Sequence, residues 1–146
     1  IYQALYSDDR SKTFFHGHSM TGSPIGCAAA LASLDLYDAG AFPQKLLLLE
    51  KNHETHLRQI ASGPLAKRIR EIRYLGSVAA LELSIPDGYT GNFSPVFLKK
   101  CLENGALLRP LGNVIYLTPP YTITPAELAK VYEIIEKVLH EMLPLS

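Results

Sequence analysis

His16-Gly17-His18-Ser19-Met20-Thr21-Gly22-Ser23 is a run of small, hydroxyl-bearing and imidazole side chains that leads directly into Pro24 and an alanine-rich stretch. At such a junction the free amides and the positive end of the helix macrodipole favour an anion, phosphate above all, and Ser or Thr hydroxyls add donors. No Gly-Lys-Ser/Thr follows, so the segment is not a Walker loop. The competing reading is an ordinary glycine-containing loop with a capped helix. Arg109 is the second candidate. It ends the apolar run Ala106-Leu107-Leu108 just before Pro110, where a guanidinium fork can be offered to a carboxylate in a cleft. An arginine paired with a surface Glu or Asp reads the same way.

The remaining reactive residue types lead to blander expectations. His16 and His18 lack a nearby carboxylate or thiolate to complete a ligand set, so no metal site is expected. His53 and His56, three apart, read as a solvated or partly packed helix face. Cys27 and Cys101 are far apart, form no CxxC, and are expected to be small core fillers. Asn92-Phe93-Ser94 matches a glycosylation sequon but reads better as a loop and helix cap.

These residues need a frame. Ser23-Pro24 caps a helix expected over 24–39, with Gly40 as its stop, and its many alanines imply close approach of another backbone. A second helix is expected from Pro43 to about Ala61, with Leu46, Leu49, His53, Leu57 and Ile60 at helical spacing. From Ile72 the period becomes two: Ala79, Leu81 and Leu83 face one way, Val78, Ala80 and Glu82 the other, with Gly76 read as a bulge. Pro86-Asp87-Gly88 marks a loop, and Ser94-Pro95 caps a helix running to Asn104-Gly105. Strands over Ala106–Arg109 and Val114–Thr118 flank a hairpin turn at Gly112-Asn113. Thr124-Pro125-Ala126-Glu127 is a capping box, and the last helix carries the stripe Leu128, Val131, Ile135, Val138, Leu139 and Met142, closed by Pro144. The order describes an α+β unit with helices on one face of a small, mainly antiparallel sheet.

With 146 residues, 47% of them apolar, the chain can bury a core of ordinary domain size. Fourteen basic residues balance fourteen acidic ones, which argues against nucleic acid or an anionic membrane as partner. No apolar stretch approaches the roughly 18 residues of a membrane span, no leader opens the sequence, and a cytoplasmic protein is expected. Ile1-Tyr2-Gln3-Ala4-Leu5-Tyr6 reads as the tail of a helix, so the chain is expected to start inside a larger protein.

Two segments carry a resemblance. His16 to Ala30 is similar to the HG-x-T-x-x-GNP-x-x-CAAA segment of class III, ornithine-aminotransferase-like enzymes that use pyridoxal 5'-phosphate and have fold type I. Leu108-Arg109-Pro110-Leu111-Gly112-Asn113-Val114-Ile115-Tyr116-Leu117-Thr118-Pro119-Pro120-Tyr121 resembles the (I/L)RP-x-G-x-x-IYL-x-PPY pattern of one branch of that family. That branch moves an amino group from S-adenosylmethionine to 8-amino-7-oxononanoate in biotin biosynthesis.

The resemblance implies that 1–40 are the end of a large cofactor-binding domain and 41–146 a small C-terminal α+β domain, in a homodimer. It implies that Ser19, at the family's Thr position, contacts the cofactor phosphate of the neighbouring subunit, with His18 at the adjoining position, where proline is usual. Gly17 then lies close to substrate, Arg109 binds the keto-acid carboxylate, and Tyr116 stands near the substrate pocket. Ser at 19, His at 18 and Ser in place of Asn at 23 depart from the family pattern. The Schiff-base lysine that holds the cofactor is expected upstream of Ile1, since Lys12, the only lysine before the loop, lacks glycine-rich surroundings. No catalytic residue is therefore expected in the chain, which alone would be inactive. The alternatives are another class III transaminase, using ornithine or 4-aminobutyrate, and a non-catalytic α+β ligand-binding module.

Overall fold

Gly76 decides how the alternating run after Ile72 is built. In the computed structural model of the chain, which describes residues 2–38, 41–86 and 91–143, Gly76 has φ +58 and turns the chain back on itself. The single bulged strand of the sequence reading is therefore two strands, β1 (Ile69–Leu75) and β2 (Val78–Leu83), paired antiparallel with Leu75 opposite Val78. A two-residue Gly76-Ser77 loop with glycine first is the connection whose twist suits a hairpin. The bulge lies elsewhere, at the register shift between Ile69 and Glu71.

The chain divides into two compact units, Ile1–Gly40 and Ala41–Ser146. The first contains α1 (Tyr2–Leu5), a 3-10 turn at Arg10–Lys12 and α2 (Pro24–Asp38). Ser23 starts α2: its carbonyl accepts from Cys27 N at 2.9 Å, and its Oγ lies 3.5 Å from Gly26 N. The close packing expected from the alanines of α2 is not made by the described residues. Ile25 is 84% and Leu36 76% exposed, and Cys27, expected as a core filler, is exposed as well.

The second unit contains α3 (Phe42–Ser62), a 3-10 turn at Ala66–Arg68, β1, β2, α4 (Phe93–Glu103), β3 (Val114–Leu117) and α5 (Pro125–Met142). The sheet order is β1-β2-β3, antiparallel throughout, with Ala80 opposite Tyr116 and Leu81 opposite Ile115. Ala79, Leu81 and Leu83 are buried, as the period of two requires. Leu49, Leu57 and Ile60 of α3, Phe97 and Cys101 of α4, and Leu128, Ile135, Val138 and Leu139 of α5 join them in one core. On the opposite face Glu82 accepts from Arg70 and Arg73, each at 3.1 Å. The capping box of α5 is complete, with Thr124 Oγ1 accepting from Glu127 N and Glu127 Oε2 from Thr124 N.

Three expectations are corrected. Residues 106–109 form no strand: burial alternates, with Ala106 and Leu108 buried and Leu107 and Arg109 exposed, but no ladder bonds form. Pro110 has no N–H to continue one. Ser94 does not cap α4, which starts at Phe93 with Asn92 before it; its hydroxyl instead donates to the Gly112 carbonyl at 2.9 Å. His53, expected on a solvated or partly packed helix face, is fully buried with the apolar stripe of α3. Gly40 as a helix stop, Asp87-Gly88 as loop, Ile1 and Pro144 as a helix end lie outside the described residues. No single described helix is long and apolar enough to cross a membrane.

Candidate functional site

Each unit carries one part of the expected site. In the first, the 16–23 loop is exposed up to Ser23 and folds on its own hydrogen bonds. His18 organises it: its N–H donates to Thr21 Oγ1 at 2.8 Å, its carbonyl accepts from Thr21 N at 2.9 Å, and its Nδ1 accepts from Met20 N at 3.1 Å. Gly22, with φ +71, and the bond from Ser23 N to the Met20 carbonyl bring the chain round into α2. After these bonds Ser19 is left with hydroxyl and amide both unengaged among the described residues, just ahead of the α2 N-terminus. An unengaged hydroxyl and amide beside the positive end of a 15-residue helix is a donor set that fits a phosphate. Gly17 is exposed in the same loop.

The second part is a cleft of about 380 Å³ along β3, lined by Leu108, Arg109, Tyr116, Pro119, Ile123 and Val131 among others. Arg109 and Tyr116 therefore share one cavity. The reason is the turn between them. Leu111 and Val114 exchange both backbone bonds, at 2.8 and 3.0 Å, across Gly112-Asn113, and Gly112 has the φ of +60 that a two-residue hairpin loop asks of its first position. Arg109 and Tyr116 stand two residues out from that bridge on either side, Arg109 exposed and Tyr116 half-buried, while Pro110 and Ile115 between them are buried. Arg109 makes no hydrogen bond or ion pair with the described residues, so its fork is available to an anion. The walls are otherwise mainly aliphatic and prolyl, which suits an apolar chain that ends in a carboxylate.

Two features of the second unit escaped the sequence reading. Asn113 is more than a turn residue: its Nδ2 donates to the Leu83 carbonyl at 2.8 Å, while its own carbonyl accepts from Leu83 N at 2.9 Å. His53 Nδ1 and the Tyr132 hydroxyl are 2.7 Å apart in the core, and His56 stacks on the Tyr132 ring at 4.8 Å. Burial pushes the His53 pKa down, with the neighbouring His56 adding to the shift and the Ser77 backbone opposing it. Burial likewise raises the Cys101 thiol to about 12, which makes it an inert filler. No group of three or more His, Cys, Asp or Glu that could hold a metal occurs among the described residues.

The aminotransferase class-III family profile matches residues 1–139. The chain is 41% identical over 146 residues to adenosylmethionine-8-amino-7-oxononanoate aminotransferase of Synechococcus elongatus, an alignment that takes in 97% of this chain and 32% of that protein. Among solved structures it is similar to the enzyme of the same name from Methanocaldococcus jannaschii, with TM-score 0.73, 30% identity, and coverage of 92% of this chain and 32% of that one. A pyridoxamine-phosphate-bound aminotransferase of Vibrio fluvialis gives TM-score 0.75 at 28% identity, covering 93% and 31%. The chain thus spans about a third of the length of the curated relatives it matches.

Proposed function

The chain belongs to the class-III aminotransferase family, whose cofactor is pyridoxal phosphate, and from that premise we propose that the whole protein moves an amino group from S-adenosylmethionine to 8-amino-7-oxononanoate in biotin biosynthesis. The observation that carries this reading is the cleft along β3, where Arg109, unpaired among the described residues, and Tyr116 line one cavity between aliphatic walls. A keto acid with a long methylene chain and a terminal carboxylate suits that lining. The names of the Synechococcus and Methanocaldococcus relatives support the same substrate pair.

Bound pyridoxal phosphate supplies the electron sink and carries the amino group between the two substrates. Ser19 would hold its phosphate, hydroxyl and amide donating, across a homodimer interface, with the α2 N-terminus adding its positive dipole. His18 acts through the loop, fixing the Met20 and Thr21 bonds that leave Ser19 exposed. Gly17, without a side chain, leaves room beside the reacting end of the substrate. Arg109 would take the carboxylate by a bidentate bond and so fix which end of the substrate is presented to chemistry. Tyr116 would close the same cavity over the methylene chain with its ring.

The experiment is a turnover assay on the full-length protein loaded with cofactor. Mass spectrometry should detect 7,8-diaminononanoate when S-adenosylmethionine and 8-amino-7-oxononanoate are supplied together. Turnover with ornithine or 4-aminobutyrate as donor, and none with S-adenosylmethionine, would assign the protein to another branch of the family. No turnover with any of these donors would revive the ligand-binding module.

A further inference from the structure

The cleft depends on a register, and the register depends on two side chains outside the cleft. Because Leu111 bridges Val114, positions 109 and 116 fall at equivalent places on either side of the turn. In a segment that alternates with period two, slipping the turn by one residue would exchange the exposed and buried sets. Arg109 would then be driven toward the core side now held by Leu108 and Pro110. Within residues 106–110 the burial of Ala106, Leu108 and Pro110 opposes such a slip, but no strand-ladder bonds among the described residues hold the segment in place.

The turn is instead pinned from outside on both central residues. Ser94, in the first turn of α4, donates to the Gly112 carbonyl at 2.9 Å. Asn113 bonds Leu83, the last residue of β2, through its side chain and its carbonyl together. Its Nδ2 supplies the donor that an ordinary strand residue would supply from its backbone N–H, so the β2 to β3 ladder is carried one pair beyond Glu82 and Val114 into the turn.

We propose that Asn113, assisted by Ser94, is a positioning residue for carboxylate recognition: it locks the turn register that sets Arg109 and Tyr116 in one cleft. This rests on the reading of Arg109 given above. Asn113 touches no substrate; it acts through Arg109.

The test compares the free acid of 8-amino-7-oxononanoate with its methyl ester in the full-length holoenzyme. An enzyme that has merely lost folded protein loses activity toward both equally. Asn113→Ala is expected to raise the KM for the acid about threefold to tenfold, the scale of one lost hydrogen bond, with KM for the ester and kcat little changed, so that the preference for the acid collapses. In an Arg109→Ala background the same substitution should have no further effect on the acid, as for two residues acting through one interaction. Should Asn113→Ala not fold, Ser94→Ala removes one hydroxyl and is expected to reduce the preference in the same direction by a smaller factor. Equal effects on acid and ester, or an Asn113→Ala effect that persists undiminished without Arg109, would overturn the proposal. If Arg109→Ala itself leaves the acid and ester KM unchanged, the carboxylate reading of Arg109 fails. An effect of Asn113→Ala on the acid in that case would still have to be explained by a route other than Arg109, and the positioning role falls with it.

Discussion

The hydroxyl of Tyr132 lies 2.7 Å from Nδ1 of His53, and this bond joins α3 to α5 inside a core that is otherwise apolar. Burial holds His53 below its ordinary value of 6.5, so the folded chain stays neutral there while the unfolded chain takes up a proton as the pH drops below 6.5. Stability from this group is therefore complete above about pH 6.5 and is lost progressively as pH falls toward the folded pKa. Thermal unfolding followed from pH 8 to pH 5 should show a falling midpoint. His53→Gln, which keeps an acceptor for the Tyr132 hydroxyl, should start lower but fall less. Parallel curves for the two proteins would move the acid sensitivity to other groups. Tyr132→Phe strips His53 Nδ1 of its hydrogen bond and should cost about 1–3 kcal/mol, read from denaturant midpoints.

Replacing Arg109 with alanine in the full-length enzyme should lower kcat/KM for the keto acid by about 2–4 kcal/mol, the scale for losing one partner of a desolvated charged pair. Arg109→Lys should recover only part of this, because an ammonium cannot reproduce the two parallel bonds of the fork. Unchanged kcat/KM in Arg109→Ala would make Arg109 a plain surface arginine.

Ser19→Ala should weaken cofactor retention in the full-length protein by about 0.5–1.5 kcal/mol, the net worth of one hydrogen bond. Ser19→Thr keeps the hydroxyl and should match or exceed the parent. Equilibrium dialysis of pyridoxal phosphate provides the measurement, and equal dissociation constants for the parent and Ser19→Ala would locate the phosphate elsewhere.

Gly76→Ala should destabilise the second unit. The backbone there has φ +58, a conformation that costs an L-residue about 1–2 kcal/mol, and the new Cβ would stand 3.1 Å from Leu46 Cδ1. The Leu46 methyl is the far end of a flexible side chain and can yield, so backbone strain should dominate. A Gly76→Ala midpoint equal to that of the parent would show that the turn relaxes to another type.

How far these elements were legible depends on whether their signals were local. Thr124 and Glu127 satisfy each other three residues apart, and the stripe from Leu128 to Met142 repeats at one helical period, so α5 could be read directly. Arg109 and Tyr116 as a pair were legible only through the second family-like segment and the Gly112-Asn113 turn. Gly76 carried a true signal with two physical meanings, because a bulge and a hairpin both favour a glycine with positive φ; the Ser that follows was the clue to the hairpin. His53 shares its helical stripe with Leu49 and Leu57, but its partner Tyr132 is 79 residues away. Ser94 looked like a cap because Ser-Pro commonly is one, and its acceptor, the Gly112 carbonyl, is 18 residues on. Both contacts are tertiary, and no local pattern announces them.

The prolines around β3 have a further effect. Val114-Ile115-Tyr116-Leu117 is a short segment of strongly β-prone residues, and it ends the order β1-β2-β3. On its outer side β3 is bridged only by Leu111 among the described residues, and an edge of this kind can template the addition of a strand from another molecule. Pro110 on the arm entering the turn and Pro119-Pro120 just past the strand deny backbone donors on both flanks. The turn that sets Arg109 and Tyr116 in one cleft thus also withholds a donor beside the last strand of the sheet, and exchanging Pro110 for a residue with an N–H would restore it.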